Sequence, residues 1–172
     1  ITGTLTLTDG ELIIPSGLNL ISTDQSYGTG NLRFRRRISG SRGWRMISSP
    51  VNSTFGDLLD GTLTQGYSGA FYSTGSNPGD TLQPNVLTYL EDYPGTDNQR
   101  FRAPTSSAQT LTEGQGIWVF FFGDIPADPL YNDPLPDTLD VTGQEFSGNG
   151  TVVDFGVTYT TTADSGWNFV GN

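Results

Sequence analysis

Six of the chain's eight arginines fall between positions 33 and 45: Arg33, Arg35, Arg36, Arg37, Arg42 and Arg45. An arginine fork binds a carboxylate or a phosphate through two parallel hydrogen bonds, so this cluster suits anion recognition. The charge around it is sharply segregated. Residues 1–32 carry −3, residues 33–45 carry +6 and residues 46–172 carry −13, for a net charge of −10. Most of that surface would repel phosphates, which argues against nucleic acid as a partner. Two readings of the band stay open. One is pairing within the chain, with acids on neighbouring strands, where opposite charges help modestly. The other is a subunit contact, in which the band of one copy docks on the acidic face of the next.

A second group is the acidic, proline-rich stretch 123–137. Ca²⁺ takes about six to eight oxygen ligands, and loop aspartates supply them. Asp124, Asp128, Asp133 and Asp137 are therefore a candidate calcium set. Their spacing does not match an EF-hand, and a solvated acidic loop is the competing reading. Calcium is the one cofactor the residues suggest.

The absences are as informative. The chain has no His, no Cys and no Lys. There is no imidazole base or metal ligand, no thiol nucleophile, no disulfide framework and no Schiff-base lysine. Paired carboxylates for glycoside hydrolysis remain formally open, but with 18 acids any pair qualifies and the signal is empty. The expectation is a protein that is not an enzyme. Tyr67, Phe71, Tyr72, Tyr89, Tyr93 and Tyr131 are of a type that stacks on sugar rings, or fills a core or an interface.

These groups must be positioned by strands. With 23 Thr, 15 Ser, 23 Gly and 10 Pro, the chain is rich in β-compatible residues and in turn residues. Thr4, Thr6 and Thr8 alternate with Leu5 and Leu7, and Asp9-Gly10 marks a tight turn. Further strands are expected at 11–14, 18–21, 32–38, 44–48, 86–91, 117–122, 139–143, 151–161 and 167–170. Residues 23–31 read as a polar loop and 92–113 as mostly loop. The expected helix is one short turn over 53–60, capped by Ser53 or Thr54. The stretch 117–122 is apolar on both faces, which predicts a central strand. The fold expected is all-β: an antiparallel sandwich-like domain over 32–172, preceded over 1–31 by a short β-coil or meander that serves as an assembly arm or cap. No apolar run approaches the ~20 residues that span a bilayer, so membrane insertion is not expected. The start at Ile1 suggests a processed chain, or the observed part of something longer.

Gly43-Trp44-Arg45-Met46-Ile47-Ser48-Ser49-Pro50 is echoed by Gly166-Trp167-Asn168-Phe169-Val170-Gly171-Asn172. In each, the Trp and the second residue after it share a strand face, and the pattern predicts two equivalent strands whose large side chains enter the core. An Arg-bearing strand leading into Gly-Trp-x-x-x-Ser-Ser-Pro, then Thr54-Phe55-Gly56-Asp57-Leu58, Gly114-Gln115-Gly116-Ile117-Trp118-Val119 and the closing Gly-Trp-Asn motif resembles a module of large cell-surface and secreted proteins of Bacteroidetes-type bacteria. The resemblance covers essentially the whole chain. It implies export by the type IX route, with a C-terminal sorting domain that is removed, and an adhesive, structural or accessory role. It assigns no catalytic residue. In such bacteria Asp80-Thr81-Leu82 and Asp137-Thr138-Leu139 match an O-glycosylation pattern, which makes Thr81 and Thr138 candidate acceptors. Asn52 and Asn149 stand in Asn-x-Thr frames.

The expectation is an extracellular structural protein, the repeating subunit of a surface filament or appendage, with copies of itself as partners. The alternative is an adhesin or carbohydrate-binding module of a larger secreted protein, with surface glycans as partners. A fragment of a secreted hydrolase is the remaining reading.

Overall fold

The computed structural model describes residues 3–20, 24–71, 82–124, 133–145 and 168–170. The fold is all-β and sandwich-like, with strands dominant over helix. It begins with β1 (Thr4–Leu7) and β2 (Glu11–Ile14), as the alternation predicts. β3 (Asp24–Tyr27) and β4 (Asn31–Ile38) follow.

These four strands form a coil rather than a meander. β1 pairs with β3 and β2 pairs with β4, both in parallel. In each pair the partner lies 20 residues downstream, Thr4 against Asp24 and Glu11 against Asn31. One rung is therefore β1–turn–β2, and the next is β3–turn–β4. Leu12 stacks on Leu32 and Ile14 on Phe34, so like side chains pile up inside the coil. The turns stack as well: the Gly28, Thr29 and Asn31 amides donate to the carbonyls of Leu7, Thr8 and Gly10 at 2.8, 3.0 and 2.9 Å. Gly30 is required there, since a Cβ at that position would lie 2.8 Å from the Leu7 carbonyl oxygen.

Two strand expectations are corrected at this point. Residues 18–20 form no strand, whereas the polar segment read as a loop supplies β3. Register with β1 recruits Asp24–Tyr27 despite its weak β-propensity, because tertiary pairing overrides local preference.

β4 continues past the coil and pairs antiparallel with β11 (Asp137–Gly143), giving a sheet in the order β11-β4-β2. The facing sheet holds β5 (Gly43–Ser48), β7 (Val86–Tyr89), β8 (Phe101–Arg102) and β10 (Gly116–Phe121), in the order β5-β10-β7-β8. β10 is an interior strand of that sheet, as its two apolar faces predict. β6 (Ser53–Thr54) and β9 (Thr110–Leu111) form a small separate ladder. The core lies between the sheets: Ile38, Leu139 and Val141 meet Val86, Ile117, Val119 and Phe121, with Phe55, Leu58 and Leu59 closing one side.

Helix α1 (Phe55–Leu58) starts at Thr54, whose hydroxyl accepts from the Asp57 amide at 3.0 Å while the Asp57 carboxylate accepts from the Thr54 amide at 3.2 Å. Thr54 is one of the two caps expected, and Asp57 makes the cap reciprocal. A second helix, α2 (Asp97–Arg100), stands where loop was expected. Its signal was the Thr96-x-x-Gln99 spacing: the Gln99 carbonyl oxygen accepts from the Thr96 amide at 2.8 Å. Buried Asn85 ties the 62–71 loop to β10, accepting from the Gln65 amide at 2.8 Å and donating to the Leu63 and Phe120 carbonyls at 2.9 and 3.0 Å.

The placement of Trp44 is also corrected. Trp44 and Met46 do share a face, but it is the outer one, and they are 44% and 64% exposed. The core face of β5 is left to Ile47, which packs against the core cluster. Trp167 and the expected strand at 151–161 lie outside the described residues, and of the expected strand at 167–170 the described part, 168–170, makes an isolated bridge from Val170 to Gln115.

Candidate functional site

Two features of the first sheet bear on assembly: the open end of the coil and the arginine band beside it. Among the described residues, β1 and β2 have no partner on their outer edges, since each pairs only with the strand of the next rung. Their inward side chains show the consequence. Leu5, Leu7 and Leu12 are half-buried, whereas Leu32, one rung further in, is fully buried. Ile13 and Leu18 add apolar surface nearby, 42% and 63% exposed. At the other end β3 has a free outer edge among the described residues, but β11 lies against β4. The two ends of the coil are therefore unlike.

The arginine band divides into three roles. Arg33 and Arg35 pair within the chain. Asp140 on β11 accepts from Arg33 Nε at 2.6 Å and from Arg35 Nε at 3.1 Å, and Glu11 lies 3.6 Å from Arg33 Nη1. The Arg33 guanidinium beside Asp140 holds its carboxyl below the usual carboxylate range, with Arg35 adding to the effect and partial burial opposing it. Arg45 clamps a turn, donating to the Trp44 and Ser41 carbonyls at 3.0 and 2.8 Å. Arg36, Arg37 and Arg42 have exposed side chains with no ion pair among the described residues. The Arg37 backbone amide donates to Ser16 Oγ at 2.9 Å.

Of the four aspartates considered for calcium, Asp128 lies outside the described residues and Asp124 is exposed. Asp133 and Asp137 anchor one loop. The buried Asp133 carboxylate accepts from the Leu63 amide at 3.4 Å, and Asp137 accepts from the Thr62 hydroxyl at 2.8 Å. Burial pushes the Asp133 carboxyl up, the Leu63 amide opposes this, and the Asp137 charge adds to the rise. Among the described residues no three acidic side chains are grouped as a metal site would require.

Thr138 is exposed, with its amide donating to Asp137 Oδ1 at 2.6 Å, and Thr81 lies outside the described residues. Asn52 is exposed and accepts from the Glu113 amide at 3.0 Å. Among the aromatic residues singled out for sugar stacking, Tyr67 is a core residue at 4% exposure and Phe71 is 60% exposed. Tyr72 and Tyr131 lie outside the described residues. Arg102 sits 4.5 Å above the Tyr93 ring. Trp44, assigned to the core by the sequence, and Trp118, Phe120 and Phe101, not considered as site residues, line the outer face of the second sheet. The period-two register between Trp44 and Met46, and between Trp118 and Phe120, was the available signal.

No protein-family model matches the chain, and no curated protein or solved structure matches it.

Proposed function

We propose that this chain is an extracellular, non-enzymatic structural protein that joins copies of itself end to end through its N-terminal coil. The observation that carries the reading is the open rung: among the described residues, β1 and β2 offer unpaired edges above half-buried leucines. Such an edge is a template for strand addition. Because the two coil ends differ, contact between copies is head to tail, and a heterologous contact that does not close on itself builds an open chain. The outer edge of β3, unpaired among the described residues, is the matching surface, since β1 already pairs with β3 in parallel within one copy. The segregated charge supports the same reading, with Arg36, Arg37 and Arg42 left to meet the acidic remainder of a neighbour. The resemblance to surface-protein modules agrees with an extracellular building block.

The absence of Cys makes a clean test possible. Thr6 and Ser26 are registered across β1 and β3. A neighbour's β1 on the outer edge of β3 brings its residue 6 to the same spacing of about 4.8 Å, which a disulfide bridges. Thr6→Cys protein mixed with Ser26→Cys protein gives a mixed disulfide dimer on mild oxidation, well above the level of either alone. Negative-stain images of the unmodified protein show filaments. A monodisperse monomer at every concentration, with no mixed cross-link, overturns the proposal.

A further inference from the structure

The second sheet turns an aromatic face away from the core. Phe120 on β10 lies opposite Trp44 on β5, Trp118 lies opposite Met46, and Tyr89 on β7 lies opposite Phe101 on β8. The rings form one continuous row. Centroid spacings run 5.2 Å from Phe122 to Phe120, 5.4 Å to Trp44, 5.9 Å to Trp118, 4.9 Å to Phe101 and 5.1 Å to Tyr89. Phe101 and Trp118 are stacked, with planes only 11° apart. The row ends at a cavity of about 300 Å³ lined by Met46, Tyr89, Asp97, Phe101, Asn168 and Phe169. Phe169 can lie over the sheet because Gly116 has no side chain there: a Cβ would come 2.7 Å from its ring.

From this geometry we infer that the outer face of the β5-β10-β7-β8 sheet binds a neutral glycan chain. The argument is one of matched chemistry and charge. The six rings, with Met46 and Leu87 on the same face, carry no charge. A pyranose ring presents C–H faces that pack on aromatic rings, while its hydroxyls need polar partners at the edge. The cavity's lining is mainly apolar and includes the Asp97 carboxylate and Asn168, and its volume is at the lower end of the ~300–1,000 Å³ range of small-ligand pockets. Asp97 stays half-exposed beside Arg100 at 3.4 Å. The body's charge of −10 repels anionic glycans and leaves neutral ones. A shallow row of mutually packed rings suits an extended polymer, one sugar after another along the rings.

The test is titration calorimetry of the full chain with cellohexaose and mannohexaose, and with hexagalacturonate as the anionic counterpart. At least one neutral hexaose binds and shifts tryptophan fluorescence, and the anionic chain does not. Trp44→Ala weakens binding roughly three- to tenfold, within the worth of one aromatic contact, and lowers Tm only modestly, because Trp44 is 44% exposed and touches Phe120 and Trp118 at one side. Trp118→Phe keeps the ring and gives a smaller loss, which covers the case in which an alanine at position 118 perturbs the sheet. Three results overturn the inference. One is the absence of binding to either neutral hexaose. Another is equal binding of the anionic chain. The third is a dimer, seen by sedimentation, that Trp44→Ala disperses without any glycan being bound, which assigns the face to a second copy. The strand-addition reading concerns the other sheet, so either proposal can fail alone.

Discussion

Asp140 lies directly opposite Arg35 across the β11–β4 ladder, yet its shorter bond, 2.6 Å, goes to Arg33 two residues away. One carboxylate thereby holds two arginines of the band in place. It also keeps their charge from adding to that of Arg36 and Arg37 on the same strand.

Replacing Asp140 should lower stability in a pH-dependent way. Its carboxyl titrates below the ordinary range when folded, chiefly through Arg33. A depressed folded value contributes stability that is present above the unfolded pKa and lost as pH falls through the folded one. Asp140→Asn is expected to lower Tm at pH 7, with the gap to the parent closing under strong acid. Added salt should narrow the gap too, since these side chains are partly exposed. Scanning calorimetry across pH and salt checks both trends.

Asp133 should behave with the opposite sign. Burial raises its carboxyl, so the folded state holds the proton more tightly than the unfolded state does. Stability then declines as pH rises from the unfolded value through the folded one. Asp133→Asn keeps an acceptor for the Leu63 amide and removes the buried charge. It is expected to raise Tm at pH 7 and to have little effect in acid. A lower Tm at pH 7 would contradict this account.

Alkali should weaken the fold through Tyr27 in the coil. Burial pushes the Tyr27 hydroxyl up to about 12, with the Glu145 charge adding to the rise. Its hydroxyl donates to Gln25 on the same strand. Between the ordinary value of 10.0 and about 12 the unfolded state loses the proton while the folded state keeps it, so stability falls across that window. Tyr27→Phe should flatten the decline, read by far-ultraviolet circular dichroism during an alkaline titration.

Leu32 has no exposure and stacks against Leu12 where the coil meets the sandwich. Leu32→Ala should cost about 2–5 kcal/mol, the usual range for truncating a buried leucine. Because β4 belongs to both parts, chemical denaturation should show one transition shifted as a whole. Two separated transitions would show instead that the coil melts alone.

The free arginines should govern assembly rather than folding. Arg37→Glu with Arg42→Glu should weaken end-to-end growth and leave Tm nearly unchanged. Growth of the parent protein should slow as salt rises, because exposed charges are screened beyond ~10 Å at 0.1 M. Light scattering over a salt series reads both effects.

Much of the sandwich was legible because its signals are local. β10 announced itself through Ile117 to Phe122, and α1 through the Thr54–Asp57 cap. β3 was not legible by alternation, since Asp24-Gln25-Ser26-Tyr27 is polar and becomes a strand by stacking on Thr4–Leu7. The spacing from Gly10 to Gly30 and from Leu12 to Leu32 was the trace that a repeat of 20 residues left in the sequence. The arginine band was legible as a band but not as three roles. Which arginines pair depends on Asp140, more than a hundred positions downstream. Trp44 was misplaced because a large apolar side chain in a strand suggests the core, and period two alone does not say which face is inside.

β4 has a mechanical consequence. Its first four residues hold the coil, and its length from Leu32 to Ile38 is laced to β11 through seven registered pairs. A pull on the coil directed along β4 is therefore carried as shear across the whole ladder, so the hydrogen bonds share the load at once instead of parting one by one.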